Sequence, residues 1–221
     1  MAMFRLSPPK GSDFMSCLRS VSTFVTEYEQ KKPQRILLVG SSNSGKSTLS
    51  QVLSKCLALP VYEIDDFAWQ PQWRMHNLDI IRGRVADIVS QDAWILVGNY
   101  GSTQDISWPE ADVVIWLDLP RHVLMKRVIL RCLHRVVTQT PVCNGNYETF
   151  AGSFLHKDSL VLWVWNHYHS IQQRYQNRLE AHTGPLVFRV RNASDVKKLT
   201  RQLLHCRHIA SGENELNTFV I

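Results

Sequence analysis

Long apolar runs are missing from this chain of 221 residues. No stretch approaches the roughly 20 consecutive apolar residues that a membrane span needs. The strongest, Val113 to Trp116 and Leu160 to Trp165, are short and read as core. Cysteine is sparse: Cys17, Cys56, Cys132, Cys143 and Cys206 make an odd number, with no C-x-x-C pair. This argues against a disulfide framework and for a reducing, cytoplasmic setting. Cys206 and His208 lie close together, but no second pair stands at zinc-like spacing, which argues against a zinc site. Internal repeats are absent, as are helix-turn-helix, RRM and zinc-finger signatures, so a nucleic-acid function ranks last.

What is present is globular composition, with 44% hydrophobic and 20% charged residues, in a length that suits one domain with a full core. The net charge of +6 suits an anionic partner, nucleotide phosphates or nucleic acid, and equally a mildly basic soluble enzyme. Residues 1–33 differ from the rest, with Pro8-Pro9, Gly11 and many serines. Arg5, Lys10 and Arg19 hint at an organelle-targeting segment, but Pro8-Pro9 and Asp13 interrupt the amphipathic pattern. The segment reads as an N-terminal extension, helical from about Cys17 to Gln30. The core domain is expected over 34–207, and 208–221 reads as a tail.

Ile36-Leu37-Leu38-Val39 is wholly apolar, as a central parallel strand should be. Further strands are expected at Val61 to Ile64, Ala93 to Val97, Val113 to Leu117 and Pro185 to Val190. Between them lie helical patterns: Leu49 to Leu57, Leu78 to Ile88 capped by Asn77, Arg121 to Val137, Phe154 to His182, and one after Asn192 or Ser194. Thr138 to about Ser153, with Pro141 and Asn144-Gly145, reads as loop. Alternating strands and helices predict an α/β three-layer sandwich, whose ligands bind at the carboxyl ends of the strands.

One motif falls at such an end. Gly40-Ser41-Ser42-Asn43-Ser44-Gly45-Lys46-Ser47, with Thr48 beyond, matches G-x-x-x-x-G-K-[ST] between a strand and a helix. Its glycines let backbone N–H groups curl around phosphate, and the following helix aims its positive end at the same anion. Lys46 is expected on the β- and γ-phosphates of ATP and the Ser47 hydroxyl on Mg²⁺. Asp65 and Asp66 are expected to close the second strand, where a carboxylate activates an acceptor hydroxyl or holds Mg²⁺ through water. Asp118, at the end of the fourth strand, is a second candidate for positioning Mg²⁺. Trp69, Trp73 and Tyr100, with Asn99 beside it, are candidates to wall an acceptor pocket. Trp163 and Trp165 read as core. Arg127, Arg131 and Arg135 share one helix face, and Arg174 and Arg178 another.

Several strings beyond the phosphate loop carry a resemblance. They are Val61-Tyr62-Glu63-Ile64-Asp65, Trp69-Gln70-Pro71-Gln72-Trp73, Gly98-Asn99-Tyr100-Gly101-Ser102-Thr103, Ala111 to Arg121, and Trp163-Val164-Trp165-Asn166. In this order the chain resembles the P-loop kinase-like ATPases of the adenylate-kinase type, and within them the DNA topology modulation protein group. The resemblance covers about three quarters of the chain. It implies a five-stranded parallel sheet in order 2-3-1-4-5 with a small lid, here about 136–155. It also implies ATP hydrolysis or phosphoryl transfer to a nucleoside-like or other small acceptor. By the same resemblance, Asp65 stands at the acceptor-activating position, and Arg127 and Arg131 start the lid and reach the transferring phosphate. Arg174 and Arg178 would close from the other side. The chain departs from the pattern twice: Val97 stands where an Asp is usual before Gly98, and Ser107 near the position of an arginine. The expected function is therefore a Mg²⁺-dependent phosphotransferase or ATPase on a small acceptor. A catalytically weak nucleotide-binding module and a nucleic-acid-associated ATPase are the alternatives.

Overall fold

Alternating apolar and helical segments assemble into a parallel sheet with helices on both faces. The computed structural model describes residues 18–19, 23–24, 30, 32–180 and 184–201. The expected tail and most of the extension lie outside them. The strands of the main sheet are β1 (Leu18–Arg19), β2 (Arg35–Gly40), β3 (Val61–Glu63), β6 (Trp94–Val97), β7 (Val113–Leu117) and β8 (Leu186–Val190). A separate two-stranded hairpin, β4 (Trp69–Gln70) and β5 (Arg74–Met75), follows β3. The main sheet runs β1-β8-β7-β2-β6-β3, parallel throughout. Its five longer strands keep the order expected, and β1 adds a sixth at the β8 edge. The sheet therefore differs in detail from the five-stranded expectation. Part of the presumed extension belongs to the fold, since Phe24 is also buried, edge-on to Phe188 at 4.9 Å.

Side-chain alternation along the strands sorts the core into two layers. Leu37, Val39, Leu96, Val114 and Trp116 face α3 (Leu78–Val89), α4 (Gln104–Glu110) and α6 (Leu160–Glu180) through Ile81, Val85, Trp108, Ile171 and Tyr175. Ile36, Leu38, Ile95, Val97 and Ile115 face α1 (Lys46–Leu57) and the helical residues 193–201 through Leu49, Leu53 and Leu199. Each such buried aliphatic side chain contributes roughly 1.5–3 kcal/mol over exposure. A third cluster, Leu124, Val128, Cys132 and Val164, joins α5 (Arg121–Thr138) to α6.

The structure moves several boundaries. The second strand stops at Glu63, and Ile64–Ala68 forms a short helix, α2. Asp65 and Asp66 thus sit in its first turn and do not end a strand. The helix expected from Phe154 to His182 is two pieces: a π-helical turn, Ala151–Leu155, and α6. Ser159 causes the break, its hydroxyl accepting from Leu162 N at 3.4 Å and capping α6. Asn77 caps α3 as expected, accepting from Asp79 N at 3.1 Å. The hairpin and α4 had no counterpart in the sequence reading. Leu18–Arg19 is strand, not the helix expected from Cys17. Trp163 and Trp165 lie exposed on α6, at 37% and 48%, and are not core; Trp165 stacks beneath Arg121 at 3.9 Å.

Candidate functional site

The loop after β2 is a curl that only its own residues permit. Gly40 has φ +144, and a Cβ there would stand 2.5 Å from the Leu117 carbonyl oxygen. Gly45, with φ +98, opens α1. Inside the curl Lys46 Nζ donates to the carbonyls of Gly40 at 3.0 Å and Ser41 at 2.9 Å. Burial lowers its pKa to about 8, opposed by Asp65 and Glu63 and reinforced by Arg131. The hydroxyls of Ser41 and Ser44 are buried without a hydrogen-bond partner. Ser42 and Asn43 are half-buried and Thr48 is exposed at the rim. A concave backbone, a desolvated ammonium and two orphaned hydroxyls fit a phosphate group.

The carboxylate beside this loop is not one the sequence reading chose. Ser47 Oγ donates to Glu63 Oε2 at 2.8 Å. Glu63 is the last residue of β3 and pairs in register with Val97, which pairs with Leu38 just before the loop. The carboxylate beside the loop thus comes from β3, level with Val97 of β6. Val97 is core, 2% exposed, and Ser107 Oγ donates to the carbonyl of Thr103 within its own turn. Burial raises the Glu63 pKa; Ser47's hydrogen bond opposes this, while Asp66 and Asp65 reinforce it. Among the described residues no three His, Cys, Asp or Glu side chains cluster as a metal cage. A hydroxyl and one carboxylate beside a phosphate cradle suit Mg²⁺, which keeps most of its waters and takes few protein ligands.

Asp118 is differently placed. Its Oδ1 accepts from Gln172 Nε2 at 2.7 Å, and its Oδ2 from Arg189 Nε at 2.8 Å and Nη2 at 2.6 Å. Arg189 lies over Trp116 at 4.3 Å. Both carboxylate oxygens are engaged in tying β7 to β8 and α6, and the Ser47 hydroxyl faces Glu63 instead.

On the other side of Lys46, Asp65 Oδ1 accepts from Tyr100 Oη at 2.7 Å. Burial, and then Asp65, push the Tyr100 pKa up, so the phenol stays protonated as the donor. Burial and Asp65 also raise the Asp66 pKa. Asn99 is turned away: its Oδ1 accepts from Tyr175 Oη at 2.6 Å, and that phenol also accepts from Gln104 Nε2 at 2.9 Å. Asn99 thus fixes the turn that presents Tyr100. Trp69 and Trp73 meet edge-on at 5.9 Å on the hairpin beside Asp65.

The arginines divide along α5. Arg127 Nη1 donates to the Ser44 carbonyl at 3.0 Å and braces the phosphate loop. One turn on, Arg131 acts electrostatically on Lys46 and Asp65 alike. Burial lowers its pKa, and its Nε is buried without a hydrogen-bond partner. Arg135 binds Glu148 at 2.7 Å. Arg174 and Arg178 do not close on the site: Arg174 donates to the Asn99 carbonyl at 3.5 Å, and Arg178 lies over Trp108 at 5.6 Å.

Beyond α5 the turn of 142–146 folds onto the segment after β3. Cys143, Asn144 and Gly145 all have positive φ, closed by the Val142–Asn146 bridge. Asn144 Nδ2 donates to the carbonyls of Asp66 at 2.8 Å and Trp69 at 2.6 Å. Asn146 is buried; its Nδ2 donates to the Gln70 carbonyl at 2.9 Å and its Oδ1 accepts from Trp73 N at 2.9 Å. The Cys143 thiol, its pKa pushed up to about 11 by burial and then by Asp65 and Asp66, lies within their electrostatic reach. A cavity of about 420 Å³ lies at the opposite, amino-terminal edge of the sheet, lined by Gln34, Asp112 and Leu186 among others, and includes none of these residues.

No family model matches the chain, and no curated protein matches it. Solved structures do. The chain is similar to shikimate kinase from Bacteroides thetaiotaomicron, with TM-score 0.51 and 12% identity over 79% of this chain and 98% of that one. It is also similar to shikimate kinase from Acinetobacter baumannii in complex with shikimate, with TM-score 0.48 and 14% identity over 86% and 99%. A gluconokinase from Sinorhizobium meliloti 1021 matches with TM-score 0.45 and 16% identity over 81% and 94%. At such identities likeness shows the fold alone, an α/β fold shared with the shikimate kinase from Bacteroides thetaiotaomicron. None of the three is a DNA topology modulation protein.

Proposed function

We propose that the chain is an ATP- and Mg²⁺-dependent phosphotransferase acting on a hydroxyl of a small acceptor. The observation that carries this reading is the convergence of Lys46, Arg131 and Asp65: two cations of the phosphate side lie within electrostatic reach of one carboxylate of the acceptor side. A nucleotide-binding module needs the first two and has no use for the third.

In this reading the loop from Gly40 to Thr48 cradles the triphosphate, with Lys46 leaving its two loop carbonyls for the β- and γ-phosphates. Ser47 and Glu63 hold Mg²⁺, which when bound spreads the charge of the β- and γ-phosphates. Asp65 accepts the acceptor's hydroxyl proton while Tyr100 holds the carboxylate in place. The acceptor oxygen bonds to the γ-phosphorus, the bond to the β-bridging oxygen breaks, and ADP leaves with the electron pair. Arg131 meets the charge that develops on the transferring group. Trp69 and Tyr100 wall the acceptor, and the lid turn of 142–146 roofs it and excludes water.

The weak-binder reading draws on buried Val97 and Ser107, neither of which can serve phosphate or Mg²⁺. The two readings part in one assay: ADP release from ATP and Mg²⁺, alone and with nucleosides, nucleoside monophosphates, polyols and small hydroxy acids, with Lys46→Ala as the blank. Acceptor-stimulated release establishes the transferase and its substrate class. Tight ATP binding with no release above the blank establishes the binding module.

A further inference from the structure

Glu148 belongs to the lid, on a stretch whose neighbours Tyr147 and Phe150 are 50% and 51% exposed, yet is itself 7% exposed. Placing a carboxylate inside a lid is costly unless its charge is matched. One oxygen accepts from Arg135 Nη1 at 2.7 Å; the other is buried without a hydrogen-bond partner. Around it stand Cys132, Ser153 and, one helical turn below Arg135, Arg131. Burial first, and then the proximity of Glu148, push the Cys132 thiol up to about 11, so it stays protonated beside the carboxylate.

The charges have a definite logic. Arg131 and Arg135 are four residues apart on one helix face, so each opposes the other's charge. Arg135 repels Arg131, while Glu148 attracts both guanidinium groups. An Arg135 without Glu148 would sit beside Arg131 as a second mobile cation. With Glu148 in place it is neutralised and held, and Arg131 remains the one cation of that pair without an ion pair among the described residues.

The geometry points to Glu148 as a positioning residue: by pairing with Arg135 as the lid docks, it leaves Arg131 to act alone on the transferring phosphoryl group. This rests on the phosphotransferase reading above. Glu148 touches no reacting atom, and its effect passes through two arginines. Lid docking and the setting of Arg131 are thereby one event, since Glu148 follows directly on the turn that Asn144 and Asn146 fasten to the acceptor segment.

The test is a double-mutant cycle on the full chain. Glu148→Gln, Arg135→Gln and the pair are compared for affinity to ADP with Mg²⁺, with and without aluminium tetrafluoride, a planar stand-in for the transferring phosphoryl. Affinity for ADP alone is expected to stay within about threefold, because Glu148 is remote from the phosphate loop. The tightening by aluminium tetrafluoride is expected to fall roughly tenfold to a hundredfold in Glu148→Gln, as for loss of an electrostatic stabiliser. It should return to within about threefold of the parent in the pair. Removing a lid anchor twice would instead leave the pair at least as defective as either single change. That result, or an unchanged Glu148→Gln, overturns the proposal. The transferase reading is judged separately by turnover against Lys46→Ala. Parent protein that tightens on aluminium tetrafluoride but turns over no acceptor loses that reading and still decides the role of Glu148. Parent protein that shows no tightening at all overturns both.

Discussion

At the nucleotide end, backbone geometry makes the site: Gly40 and Gly45 allow a curl that a Cβ would block, and Lys46 is folded back onto its carbonyls. Eight consecutive residues carry nearly all of it. At the end we propose for the acceptor, side chains from four distant segments meet: Asp65 from α2, Tyr100 after β6, Arg131 from α5 and the asparagines of the 142–146 turn. One end is local and the other is assembled by the fold, so the two draw on different parts of the chain and can be altered separately.

The sharpest way to break the comparison is at its nucleotide end. Lys46→Ala is expected to lower turnover roughly a thousandfold or more while thermal melting shifts little, since it removes a charge clamp and no packing. Retained activity would place the chemistry elsewhere. At the acceptor end, Asp65→Asn is expected to lower kcat by roughly 10²–10⁴ with nucleotide affinity unchanged, the size of a lost general base. An equal fall in ADP affinity would show that Asp65 serves the metal. Between the ends, Glu63→Gln should raise the Mg²⁺ concentration needed for half-maximal rate roughly tenfold or more. Asp118→Asn should leave that requirement alone and instead cost roughly 1–3 kcal/mol of stability by weakening the charge-assisted hydrogen bonds to the half-buried Arg189.

Two milder measurements sharpen the contrast. Lys46 must be protonated to hold phosphate, and its pKa of about 8 lies below the ordinary lysine value. Nucleotide binding therefore takes up a proton above that pH. ADP affinity should hold steady below pH 8 and then fall by about tenfold per pH unit. Calorimetry in buffers of different ionisation enthalpy would count the proton. A flat profile to pH 9.5 would contradict the desolvated ammonium. Asn146→Ala removes three side-chain hydrogen bonds between the lid and its own turn or the hairpin. It should raise the acceptor KM by roughly fivefold and leave the ATP KM alone, each bond contributing about 0.5–1.5 kcal/mol net. An equal rise in both would mean that the lid serves the nucleotide end instead.

Which carboxylate lies beside the loop turned on a single boundary. In the run Val61 to Asp66 three acids follow one another closely, and extending the strand by one residue, to Ile64, leaves Asp65 directly at its end. The strand stops at Glu63 because Ile64 is drawn into the core against Val85 and Trp94 and the chain turns helical there. Arg127 and Arg131 were legible as one helix face, but not that the first braces the loop and the second stays unpaired. Arg174 was equally well spaced and supports the Asn99 turn instead.

Sequence alone determined what depends on neighbours along the chain. Apolar runs of four or five made the central strands, 3.6-residue spacing made the helices around them, and the glycines with Lys46 made the phosphate loop. Strand order and the carboxyl-edge placement followed from the fold those elements resemble. Only the tertiary structure decided what depends on residues far apart. The turn of 142–146 meets the segment after β3 across 78 positions at Asn144 and Asp66; Asp118 is claimed by Arg189 across 71; and Glu63 takes the Ser47 hydroxyl across 16. No periodicity encodes such pairs, because a polar side chain's partner is set by the packing of everything between them.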